Sequence, residues 1–288
     1  METSLDAKQI AAVLHGLSIP PQPQILVDIQ IEQLMPNPDM ARITQLIRKD
    51  PGLSGTMLKV VNSVHFALKN TISSIQQAVQ ILGLSTVLNI LNGISIKSEM
   101  DDATIVQMTR FWDTACDIAN ISAALAKHLG LNGADEAYAL GLFHNCGVPL
   151  LLSRFPNYLE VVNQSYLPHD ERIIDIENRL LNTNHAVVGY YVARSWHLPV
   201  RMCEAIAEHH NVESIFLTNE PYSHDKKTAL AILKMAEHLC RNYSALGEQN
   251  EDHEWEKIEV PLLSYMGLSE DAFANLRDDF VEKNLLIV

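Results

Sequence analysis

Apolar residues recur along this chain at three- and four-residue intervals, in short runs separated by proline, glycine and polar punctuation. That spacing is helical, and strand-like alternation persists nowhere. Ala7–Leu17 has the pattern of a short amphipathic helix, and the proline-rich Ser18–Gln24 resets the chain. Ile25–Met35 is periodic again. Asp39 is placed to cap a helix over Ala41–Arg48, and Pro51 suits the first turn of the next. In that next run Leu53, Met57, Val60, Val61 and Val64 fall on helical spacing. Ile75, Val79 and Leu82 form a further stripe that Gly83 ends, and Leu84–Ile96 is nearly all apolar, hence buried.

The second half continues in the same way. A polar stretch, Lys97–Thr104, precedes a long helix over Ile105–Leu129. Gly130–Glu136 closes it and opens the apolar stretch Tyr138–Leu152, YALGLFHNCGVPLLL. This reads as a core helix carrying one polar pair, His144–Asn145, and breaking at Gly147 and Pro149. Helices are expected over Phe155–Ser165 and Ile173–Leu181. Asn184 is placed to cap a helix from His185 to Trp196, and Pro199 starts another through His210. Lys226–Tyr243 follows. Ala245–Lys257 is acidic and reads as an exposed loop, and Leu262–Val288 as one or two terminal helices. Short helices with tight connections fit an all-α bundle.

Composition narrows the function classes. A formal charge of −14 argues against a general nucleic-acid binder, which needs lysine and arginine for phosphate, and against adsorption to anionic membranes. No apolar run is long enough to span a bilayer, and the N-terminus lacks a signal pattern. The four cysteines, Cys116, Cys146, Cys203 and Cys240, are widely spaced and read as reduced core thiols of a cytoplasmic protein.

The chemistry-bearing residues follow from the pattern. A polar pair inside an apolar helix must be hydrogen-bonded, bound to a metal, or inherited from an ancestor that bound one. His185 opens a later helix, His209 and His210 close another, and Glu237 sits in LKMAEHL. Imidazole and carboxylate together suit divalent transition metals, and a bound metal activates water and neutralises phosphate. Each residue also has a plainer reading: His144–Asn145 as a hydrogen-bonded core pair, and His209–His210 as a helix C-terminus favoured by the dipole.

The stretch around His144 resembles the HD metal-dependent phosphohydrolase motif, roughly GLLHDIGK, with Asn145 where that motif has its metal-binding aspartate. The resemblance implies that Thr114 stands at a lost first-ligand position. It also implies that His144, His185, His209 and His210 match ligand histidines, and that Glu237 takes a late aspartate position. Upstream, IPPQPQ, NPD, DPGLSG, VNSVHF and ISSIQQAVQILGLS resemble, in order, the spaced motifs of the HDOD family, a degenerate branch of the HD superfamily. That resemblance implies an all-α, two-lobed fold, with an N-terminal helical lobe over 1–104, a degenerate HD-like helical lobe over 105–243 and a C-terminal extension over 244–288 packing on the body. It also implies a bacterial signal-transduction or regulatory module, cytoplasmic and non-catalytic, that binds a protein partner or a small signalling ligand. The alternative is a surviving phosphohydrolase acting on nucleotides or cyclic dinucleotides, with a divalent transition metal on the residual cluster. A homodimer is compatible with either.

Overall fold

A computed structural model describes residues 23–62, 68–95, 102–167, 171–196, 198–218 and 222–286. Among them are sixteen helices and no strands. The expected helix Ala7–Leu17 and the stretch Lys97–Asp101 lie outside the described residues.

Four helices build the first part: α1 (Pro23–Gln33), α2 (Met40–Arg48), α3 (Pro51–Val61) and α4 (Ile75–Ser95). Their starts are set by local chemistry. The Asp39 carboxylate accepts from the Ala41 N–H, and the Asp50 carboxylate accepts from the Leu53 N–H with Pro51 in the first turn. Gly83 breaks α4 within its span, at φ 73° and ψ 162°, so the stripe does stop there. A Cβ at Gly83 would meet nothing, and the requirement for glycine is therefore conformational. Ile43, Ile47, Leu53, Met57, Leu58 and Val79 fill the core of this part.

The second part is hung on α5 (Asp102–His128), against which α6 (Ala134–Phe143) and α13 (His224–Leu239) pack. Between them run α7 (Val148–Arg154), α8 (Tyr158–Ser165), α9 (Ile173–Leu181), α10 (His185–Ser195), α11 (Val200–Glu208) and α12 (Val212–Leu217). A short α14 (Asn242–Ala245), α15 (His253–Met266) and α16 (Glu270–Glu282) complete the chain. The two parts meet where Trp196 lies against Gly55 and where the Tyr138 hydroxyl donates to the Arg48 carbonyl at 2.7 Å. No helix among the described residues is long and apolar enough to cross a membrane.

Two expectations are corrected. Tyr138–Leu152 is two helices, because α6 ends at Phe143 and the chain turns through His144–Gly147 before α7. Pro149 lies in the first turn of α7, where its missing N–H costs nothing, so it starts a helix and does not break one. The acidic Ala245–Lys257 stretch is not simply an exposed loop. Asp252 caps α15 at the Trp255 N–H, and Trp255 and Ile258 are buried.

Candidate functional site: a buried histidine cluster

The turn after α6 is pressed against the start of α10. A Cβ on Gly147 would sit 2.1 Å from the His185 carbonyl oxygen and 2.8 Å from the Gly189 nitrogen, so only glycine permits this approach. His144, at the end of α6, and His185, capped by Asn184 at the head of α10, are thereby brought to one pocket. The α11–α12 turn adds His209 and His210, and α13 adds Glu237. All five are buried.

Each imidazole is oriented through its Nδ1. Those of His144 and His209 lie 2.7 Å from the carbonyls of Gly141 and Ile206, which can only accept. That of His185 donates to Glu177 Oε2 at 2.8 Å, and that of His210 to Glu254 Oε1 at 2.8 Å. With the proton on Nδ1, a neutral ring presents a bare lone pair at Nε2. Burial, together with the neighbouring imidazole and ammonium charges, holds His209 and His210 well below the ordinary histidine pKa, so both are neutral. The Nε2 of His185 then lies 3.2 Å from that of His209 and 3.1 Å from that of His210. The His144 and His209 rings meet edge to face, with centroids 5.4 Å apart.

Lone pairs converging at such distances repel unless a proton or a cation lies among them. Nitrogens about 2.0–2.1 Å from a tetrahedral zinc lie about 3.3–3.4 Å apart. Outward Nδ1–H bonds to carboxylate and carbonyl are also how metal-binding histidines are oriented. His185, His209 and His210 therefore fit one imidazole-bound divalent transition ion. A carboxylate-bridged pair of ions does not fit. Asn145 is an amide, a poor ligand that offsets no charge. It lines a small pocket with Phe111, Leu152 and Tyr158 that His185 and Glu177 also border. Thr114, buried on α5, spends its hydroxyl on the Arg110 carbonyl at 2.8 Å, within its own helix.

Three residues that complete the pocket are not apparent in the sequence pattern. Glu177 accepts from the His185 N–H and ring and from the Tyr158 hydroxyl. Burial alone would raise its pKa, but the hydrogen bonds it accepts from His185 and from the Tyr158 hydroxyl hold it below the usual range. Lys234, on α13 and 4% exposed, places its Nζ 2.7 Å from both Glu237 Oε2 and Glu254 Oε2. Burial would raise Glu237 too, yet the Lys234 ammonium holds it well below; His144 Nε2 lies 3.3 Å from Glu237 Oε1. Glu254 comes from α15, and burial raises its carboxyl against the partial relief of Lys234. A signal existed for Lys234, since it interrupts the apolar run LAILKMA on a helix face that packs inward.

The remaining evidence is comparative. The HDOD domain model matches residues 19–212. The chain belongs to the HDOD domain family. An uncharacterized protein of Treponema pallidum (strain Nichols) is 27% identical over 195 residues, covering 67% of this chain and 38% of that relative, so the match spans well under half of its length. Among solved structures, the MmoQ response regulator from Methylococcus capsulatus str. Bath superposes with a TM-score of 0.65 at 18% identity, covering 90% of this chain and 98% of that one. A virulence factor from Campylobacter jejuni subsp. jejuni gives 0.57 at 16% identity, covering 92% and 98%. At these identities the structures share the HDOD fold. The matched segment carries four of the cluster's histidines and Glu177, whereas Lys234, Glu237 and Glu254 come from α13 and α15, beyond it.

Proposed function

We propose that this HDOD chain is a non-catalytic regulatory module that acts by binding a protein partner. One observation carries the reading: the position that would supply the bridging carboxylate to a hydrolytic metal pair holds an amide, Asn145, and the first-histidine position holds a hydroxyl turned into its own helix, Thr114. Without a bridging carboxylate there is nothing to hold two ions against one another and offset their charge while they generate hydroxide. One ion on His185, His209 and His210 would supply a cross-link between α10 and the α11–α12 turn. Hydrolysis is not required of it.

The size of the cleft at the cluster weighs against a small organic ligand there. The cleft above His210, roofed by α15, has a cavity volume of about 50 Å³. That is room for an ion or a water or two, whereas pockets that enclose drug-sized ligands run to about 300–1,000 Å³. A cyclic dinucleotide would have to displace α15 to enter. The name of the Methylococcus capsulatus relative, a response regulator, supports a place in signalling.

The test is a hydrolysis screen with bis(p-nitrophenyl) phosphate, nucleotides and cyclic dinucleotides, in manganese, iron or zinc. The expected result is no turnover above buffer. Metal-dependent turnover that disappears in His144→Ala would overturn the reading and restore the phosphohydrolase alternative.

A further inference from the structure

α1 carries apolar residues on two opposite faces, and the described residues cover only one of them. Ile25, Leu26 and Ile29 are buried, and α1 packs on α2 and α4. Val27, Ile31 and Leu34 are 46%, 52% and 85% exposed. The Leu34 N–H still bonds the Gln30 carbonyl, at 3.2 Å, so the stripe runs past the last residue of the helix. At 3.6 residues per turn these three positions fall within about 60° of one another, on the side away from Ile25 and Ile29. Met35, 49% exposed, borders them. A single exposed leucine needs no explanation. A stripe at helical spacing, opposite a buried one, is the pattern of a helix covered on both sides.

The chain supplies a matching stripe just before α1. Ile10, Val13, Leu14 and Leu17 recur at three- and four-residue spacing in Ala7–Leu17, with Lys8, Gln9 and His15 off the stripe. Five residues, Ser18–Gln22, separate it from Pro23, a connection of the length that joins antiparallel neighbouring helices. We propose that Ala7–Leu17 lies antiparallel on the outer face of α1 as an αα-hairpin, with Leu14 against Val27 and Ile10 against Ile31. A second copy is the poorer occupant. The stripe offers Val27, Ile31, Leu34 and Met35, against about 20–30 residues a side in a stable interface. A tethered segment needs no such area, because a short linker holds it at roughly millimolar effective concentration. This contact belongs to the first half of the molecule and goes beyond the regulatory reading without resting on it.

Hydrogen exchange of the full chain, read by mass spectrometry, is the first test. Peptides covering Ala7–Leu17 are expected to exchange roughly tenfold or more slowly than the free synthetic peptide of that sequence. Ile31→Lys should remove that protection and leave the α2 and α3 peptides unchanged. Ile31 is half exposed, so the lysine has solvent to enter and the fold is kept. The register is read by Leu14→Cys combined with Val27→Cys, oxidised at low protein concentration and mapped by peptide mass. A disulfide within one chain, between those two positions, is expected. Leu14→Cys combined with Asp28→Cys, about 100° further round α1, should form its disulfide roughly tenfold more slowly. Unprotected amides over Ala7–Leu17 overturn the proposal, as does protection that survives Ile31→Lys. Equal rates for the two cysteine pairs also overturn it. So does a disulfide between chains, which would put a second copy on α1.

Discussion

The two halves of this molecule bury polar side chains for different ends. Around α3 the Asp50 carboxylate, fully buried, accepts from the Leu53 N–H three residues on, and the Ser54 hydroxyl donates to the Ile47 carbonyl. Asn62 pairs both ends of its amide with the backbone of Ile72, at 2.8 Å each. These groups complete a cap, a turn and a loop, and their donors meet acceptors. Under α15 the same kinds of group are drawn from six elements, and imidazole lone pairs face one another. Local satisfaction marks scaffold. Long-range convergence that leaves acceptors facing acceptors marks a site, because helix-building alone does not call for it.

The sharpest way to break that contrast is Glu237→Ala. It removes a carboxylate from Lys234, from His144 and from Asn242 together, and leaves the ammonium with Glu254 alone. A loss of roughly 3 kcal/mol in urea unfolding is expected, the scale for breaking one side of a buried pair. A loss under about 1 kcal/mol would mean that the cluster carries little of the fold's stability.

Acid separates the halves next. His209 and His210 have pKa values depressed by burial, so below the ordinary histidine range the unfolded chain binds protons that the folded chain does not. Stability contributed by their neutral state is present above about pH 6.5 and is lost as pH falls toward their folded values, by up to about 1.4 kcal/mol per pH unit for each. Metal-free protein melted from pH 7.5 to 5 should show this slope, and a His209→Gln, His210→Gln chain should flatten it. An unchanged slope in that variant would assign the acid lability elsewhere.

The smallest effect belongs to the first half. Asn62→Ala should cost about 2 kcal/mol, from two hydrogen bonds of about 1 kcal/mol each, with no change in bound metal. A change in metal content would mean that the two halves are coupled more closely than their separate hydrogen-bond networks imply.

What the sequence discloses tracks how local the physics is. The cap by Asp39, the cap by Asn184 and the break at Gly83 are readable because each depends on a few adjacent residues. His144, His185, His209, His210 and Glu237 can be named from family motifs, and they do meet in space. The contacts of Asn145 cannot be read that way: it lines a pocket with Phe111, Leu152 and Tyr158, residues that come from three other segments of the chain. Glu254 was hidden for another reason. Its neighbours Glu251 and Glu256 are exposed, so the run looks solvated, and only the packing of Trp255 and Ile258 turns this one carboxylate inward.

The position of α15 bears finally on what counts as the inherited unit. The family resemblance stops at residue 212, yet the charge that His210 and Lys234 answer to is supplied by Glu254, some forty residues later. A relative could preserve every residue of the recognisable segment and still hold a different ion, or none, if its tail lacked that glutamate. The matched segment supplies the imidazoles, and the part after it supplies the carboxylate that His210 faces. Chemistry transferred between HDOD proteins by domain match alone would be read from only part of the pocket.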